Sequence, residues 1–143
     1  MKPVSALLQR RSNDGLYSTS PDATVFDALH VLADHEVGAL VVLRGDVLAG
    51  VFSERDYTRK VALQGRNSRD VKVADIMTAD VVTLAPDTLT HECMALMSQK
   101  RIRHLPVVDG TRVVGMLSIR DLMDDLIADH EQTIDQLRTY IQS

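Results

Sequence analysis

Apolar residues along this chain change their period in a fixed order, and the order occurs twice. Val25, Ala28, Leu29 and Leu32 fall at i, i+3, i+4 and i+7, the spacing of one helix face. Two short apolar runs follow, Ala39 to Leu43 and Val47 to Phe52, parted by Arg44-Gly45-Asp46, which predicts a β-hairpin with a glycine turn. A second helix is expected from Ser53, ending before Gly65. The same order returns with Thr90, Cys93, Met94 and Met97 on a helix face, then runs from Leu105 to Val108 and from Val113 to Leu117 around Asp109-Gly110-Thr111-Arg112. A closing helix starts at Ser118 and runs much further than its counterpart. Residues 65–72 read as the linker.

The recurrence extends to individual residues. Residues 20–57 return without a gap at one constant offset. Pro21-Asp22 becomes Pro86-Asp87, Leu40 and Val42 become Leu105 and Val107, and Gly45 and Gly50 become Gly110 and Gly115. Ser53-x-Arg55-Asp56 becomes Ser118-x-Arg120-Asp121. Upstream, Val4-Ser5-Ala6-Leu7-Leu8 resembles Val73-Ala74-Asp75-Ile76-Met77, with a longer spacer before the strand in the first copy. The chain is therefore one small unit written twice, divided at 1–66 and 67–143. At 143 residues the two units are each too small to be stable apart, so the expectation is a shared core with clefts between the halves.

Composition narrows the function. A 45% hydrophobic, 25% charged chain is globular, and 3% aromatic with no Trp leaves an aliphatic core and no base-stacking platform. A net charge of −4 argues against general affinity for nucleic acid or anionic membranes. The single Cys93 excludes an intrachain disulfide, and its helix position matches that of Ala28, which makes it a buried thiol rather than a nucleophile. With no apolar run long enough for a membrane span and no secretory signal at Met1-Lys2-Pro3, a cytoplasmic protein is expected. His30 with Asp34 and His35, and His91-Glu92-Cys93, lack the ligand number and repeated spacing of a metal site. No Walker, dinucleotide or Gly-x-Ser-x-Gly motif occurs, so neither a metal nor catalysis is predicted.

Candidate chemistry sits where the last strand of each copy meets its second helix. Ser followed three residues later by Asp is a capping box, which by itself needs no ligand. Both copies also place an arginine, Arg55 or Arg120, in the first helical turn, where the positive end of the helix dipole disfavours a cation. A bound anion reverses that sign. Free helix amides, a guanidinium and a short carboxylate together suit a molecule carrying phosphate and sugar hydroxyls, that is, a nucleotide.

These residues resemble a tandem pair of cystathionine β-synthase (CBS) domains, the stand-alone bacterial arrangement called a Bateman module. The resemblance covers nearly the whole chain: Val73-Ala74-Asp75-Ile76-Met77-Thr78, Pro86-Asp87, Arg101-Ile102-Arg103-His104-Leu105-Pro106-Val107 and Gly115-Met116-Leu117-Ser118-Ile119-Arg120-Asp121 follow the family order. It implies an α/β (α+β) fold of two β-α-β-β-α repeats packed sheet to sheet about a pseudo-twofold axis, with an extended C-terminal helix. It also implies adenine-nucleotide clefts in which Asp56 and Asp121 take ribose hydroxyls and Ser53, Ser118, Arg55 and Arg120 lie near phosphates. The segments Val37-Gly38-Ala39 and Ile102-Arg103-His104 would face the ligand. AMP is the first choice, with ADP, ATP, NAD and S-adenosylmethionine as the others.

The copies differ at those last segments, since Arg103 and His104 replace Gly38 and Ala39. The clefts should bind unequally, and a longer polyphosphate should prefer the more cationic side. As a solvated helix end, Lys100-Arg101-Ile102-Arg103-His104 would only complement the dipole, and without aromatics it is a poor single-strand platform. Beyond the second repeat, Met123, Ile127, His130, Ile134, Leu137 and Ile141 alternate spacings of four and three, a heptad seam. It predicts a homodimer through helices, or packing on Val4, Leu7 and Leu8 of the same module. The expected function is a regulatory sensor that signals to an unknown downstream protein by conformational or dimer change; the alternative is a dimerisation scaffold whose motifs merely cap helices.

Overall fold

In the computed structural model, which describes residues 2–10 and 16–142, the periodic segments become the expected elements. Helix α1 spans Val4–Arg10, β1 Ser18–Thr19, α2 Val25–His35, β2 Ala39–Arg44, β3 Val47–Ser53 and α3 Glu54–Tyr57. Then α4 spans Val73–Ile76, α5 Thr90–Lys100, β4 His104–Asp109, β5 Arg112–Ser118 and α6 Ile119–Gln142. Each hairpin turns on a glycine in the left-handed region, Gly45 at φ 61° and Gly110 at φ 63°. Both hairpins slip register at the same place, between Val42 and Leu43 and between Val107 and Val108. The fold is mixed α/β with two short sheets. In the first, β1 runs parallel to β2. In the second, that pairing shrinks to one bridge between Leu84 and Val107, because Pro106 stands where β2 has Val41 and has no N–H to donate.

The second helix of repeat one does end before Gly65, which stands at φ 68°, but only after α3 widens into a π-turn over Thr58–Ala62. Lys60 uses this turn to donate to Ile76 O at 2.8 Å and to pair with Asp56 at 3.1 Å. The linker contains a single 3-10 turn, Ser68–Asp70, capped by Asn67.

One expectation fails. The buried apolar residues do not form one joint core but two clusters. Val25, Ala28, Leu32, Leu40, Val42, Phe52 and Val61 of the first repeat enclose Val71, Val73 and Ile76 from the segment leading into the second. Cys93, Met97, Leu105, Val107, Leu117 and Leu122 enclose Val4 and Leu7 from the chain's start. The leading segments are thus exchanged, so packing crosses the sequence division at residue 66. Matched hydrogen bonds fix the exchange: Val4 N donates to Thr88 O (2.8 Å) and Ser5 N to Pro86 O (3.0 Å), while Val73 N donates to Ala23 O (2.9 Å) and Ala74 N to Pro21 O (3.0 Å). The repeated Pro-Asp turns are therefore docking points. Each hairpin buries one face under its own helix and a borrowed one, which leaves a space between the sheets rather than common hydrophobic packing.

The borrowed segments then run against the last strand of each hairpin, β3 and β5. Val51 N donates to Thr78 O (3.0 Å) and Thr78 N to Val51 O (2.9 Å). A β-carbon at Gly50 would lie 2.6 Å from Thr78 O and 2.9 Å from Met77 Sδ, whereas one at Gly115 would lie 2.7 Å from Leu8 Cδ2. Backbone cannot retreat as a leucine terminus can. Gly50→Ala is expected to cost about 2–3 kcal/mol and Gly115→Ala about 1 kcal/mol, compared by urea denaturation; equal losses would contradict this reading.

Candidate functional site

Both strand-to-helix junctions close as capping boxes. Ser53 Oγ accepts from Asp56 N (3.2 Å) while Ser53 N donates to Asp56 Oδ2 (3.0 Å). At the second junction the same bonds measure 3.2 Å and 2.8 Å between Ser118 and Asp121. The serine hydroxyls also donate to the same Oδ2 atoms, at 3.1 and 3.0 Å. The boxes use one oxygen of each carboxylate; Asp56 Oδ1 is the atom that meets Lys60. A carboxylate has about four acceptor sites, so capping leaves capacity for a ligand hydroxyl.

The hairpins bring the junctions side by side. Ala39 pairs with Ser53 and His104 with Ser118 in the two ladders, and a β-carbon built on Gly38 would lie 3.5 Å from His104 Cε1. His104 thus lays its ring against the first repeat. All residues singled out from the sequence line one cavity of about 790 Å³: Val37, Gly38, Ala39, Ser53, Arg55 and Asp56 from the first repeat, and Ile102, Arg103, His104, Ser118, Arg120 and Asp121 from the second. Sequence reasoning missed Leu16 and Tyr17, with their counterparts Val81 and Val82, and also Thr78 and Asp80. The recurrence of an apolar pair just before each first strand was the signal for the former; the bridge from Thr78 to Val51 was legible only in the fold.

Charge divides the cavity unevenly. The first repeat contributes Arg55 and Arg59 with Glu36, Glu54 and Asp56 to its lining; the segment from Thr78 onwards contributes Arg101, Arg103, Arg120 and His104 with Asp80 and Asp121. The sharpest contrast is at matched helix ends, where Glu36 and Arg101 both take left-handed conformations, at φ 54° and 55°. The same backbone thus presents opposite charges. Other candidates point elsewhere: His35 stacks on Tyr17 at 3.9 Å, His30 meets the edge of Phe26, and Cys93 is fully buried with its thiol pushed up to about 11 by desolvation. Among the described residues no three His, Cys, Asp or Glu side chains stand close enough to share a metal ion.

The CBS domain family matches this chain twice, over residues 12–63 and 73–128. The chain is a CBS-domain pair. A mitochondrial CBS domain-containing protein of Arabidopsis thaliana, CBSX3, is 42% identical over 139 residues, 92% of this chain and 67% of its own. A solved CBS-domain protein from Burkholderia ambifaria MC40-6 superposes with a TM-score of 0.85 at 44% identity, covering 90% of this chain and 96% of that one. The CBS domain pair of protein MJ0100, solved with 5′-methylthioadenosine and S-adenosyl-L-methionine, shares the fold at a TM-score of 0.78 and 23% identity, over 90% and 98% of the two chains. No helix among the described residues is long and apolar enough to cross a membrane.

His104 should make the stability of the CBS pair depend on pH. Burial lowers its pKa below the ordinary 6.5 and neighbouring Arg103 lowers it further, with Asp121 opposing. A base whose folded pKa is depressed stabilises the fold fully above its unfolded value, and that stability is lost as pH falls towards the folded value. Stability of the ligand-free protein should therefore decline below about pH 6.5, and His104→Gln should flatten that decline. Denaturant midpoints at about pH 7.5 and about pH 5.5 measure it; the same drop in wild type and variant would remove His104 from the account.

Proposed function

We propose that this CBS pair is a non-catalytic, cytoplasmic regulatory module that binds an adenosine-containing nucleotide in the cavity between its repeats, AMP first among the candidates. The observation that carries the reading is the convergence of both Ser-x-Arg-Asp junctions on one cavity whose volume lies within the usual range for small-molecule sites, about 300–1,000 Å³. A ribose hydroxyl pair suits the Asp56 or Asp121 carboxylate, a phosphate suits the arginines and helix amides, and the base suits apolar walls such as Val37, Val82 and Ile102. The adenosine ligands named for MJ0100 support the ligand class. Output follows from differential affinity: a ligand touching both repeats favours one relative orientation and so shifts the population of helical surfaces offered to a second copy or a downstream protein. ADP, ATP, NAD and S-adenosylmethionine are the competing ligands, and the more cationic second junction should take the longer polyphosphates.

One observation favours a different reading. Both capping boxes are complete without any ligand, as expected of a scaffold whose motifs only start helices. Titration calorimetry of ligand-stripped protein with the five compounds separates the two. Saturable binding is expected, lost in the Asp56→Asn, Asp121→Asn double variant, with a stability cost of only about 0.5–2 kcal/mol per cap. Heatless titrations with a folded protein would leave the scaffold.

A further inference from the structure

Helix α6 begins inside the cavity and ends far from it. Arg120 and Asp121 line the site, Leu122 and Asp125 pack on the module, and Lys2 clamps Asp125 at 2.7 Å and Asp129 at 2.9 Å. From Leu126 onwards every described side chain is exposed. The whole helix has 24 residues, about 36 Å at 1.5 Å per residue. Its heptad seam lies on another face from Leu122 and Asp125, so the sequence alternative in which the seam packs on its own module is not realised. Met123, Ile127, Ile134, Leu137 and Ile141 are between 48% and 79% exposed. Such a contiguous apolar stripe marks an interface, and a helix in a protein draws most of its stability from packing an apolar face rather than from propensity.

We propose that α6 pairs with α6 of a second copy as a parallel, in-register two-stranded coiled coil, with His130 as one polar layer in the seam. The core composition selects this occupant. Ile127, Ile134 and Ile141 take the a positions and Met123, His130 and Leu137 the d positions. β-Branched residues at a with Leu-like residues at d favour two parallel strands. The flanks permit it: Asp124, Glu131 and Arg138 stand at e, and the g positions carry no charge in the sequence, so the e-to-g contacts of a parallel pair bring no like charges together. In an antiparallel pair the e positions face one another, setting Glu131 near Glu131 and Asp124 near Arg138, so charge does not outweigh the core. A single polar core layer sets register at a cost in stability, the role His130 takes. The helix then links two cavities through one rod, because each strand starts at a Ser118 junction.

Sedimentation equilibrium of the full chain, without nucleotide, tests the pairing. Wild type should dimerise, Ile134→Asp should weaken the dimer by about a hundredfold or more, and His130→Leu should tighten it by about tenfold. Orientation is read by oxidising a Leu137→Cys variant, in which parallel strands place the new thiols together while buried Cys93 stays out of reach. A covalent dimer from that single variant supports the proposal. A monomer at all concentrations, a dimer indifferent to Ile134→Asp in a chain with unchanged circular dichroism, or cross-linking only when Leu137→Cys is mixed with Ile127→Cys would overturn it. Since none of these readouts needs a ligand, they can fail while nucleotide binding stands, and the reverse.

Discussion

Everything in this molecule depends on the exchange of two short helices. Neither hairpin can cover its apolar face with its own α2 or α5 alone, and each takes the missing cover from the segment that precedes the other repeat: Val73 and Ile76 on one side, Val4 and Leu7 on the other. The paired backbone bonds to Ala23 and Thr88 make the exchange directional. A repeat detached from its neighbour would lose part of its core, which is why the duplication acts as one folding unit despite having two clusters. The exchange also determines the site, since Thr78, Asp80 and Val82 reach the cavity only because α4 is anchored beneath the first repeat.

Placing the cores apart creates the space between them. Where a joint core would have filled the interface with side chains, the repeats meet where the His104 ring lies against Gly38, and the remaining volume is walled by capping boxes and arginines. Capping and binding are compatible because the same geometry serves both: a serine turned to receive an amide holds the Asp carboxylate and the helix amides at one place. Near-identical backbone with different charges, Glu36 against Arg101 and Gly38 against Arg103, turns a symmetric scaffold into an asymmetric receptor. The second repeat departs again at Asp125, which occupies the position of Lys60; the cation beside that helix comes instead from Lys2. A charge swap in one turn thereby ties the beginning of the chain to α6.

The sequence by itself determined the two hairpins with the helices before and after them, the duplication, the turn glycines, the buried character of Cys93 and the residues of both junctions, because each is a local rule of period, capping or side-chain size. It also marked the seam on α6, since periodicity records which face must meet something. What only the tertiary structure decided was which segment covers which core, that Thr78 and Asp80 enter the cavity, that Lys60 reaches both Asp56 and Ile76, and that the heptad face is left uncovered by its own module. Those outcomes rest on contacts between residues far apart in the chain, and a repeat leaves them open for a simple physical reason: two copies with matching surfaces can close on themselves or on each other with the same local pattern, and only the lengths of the connections and the packing of particular side chains choose between the two.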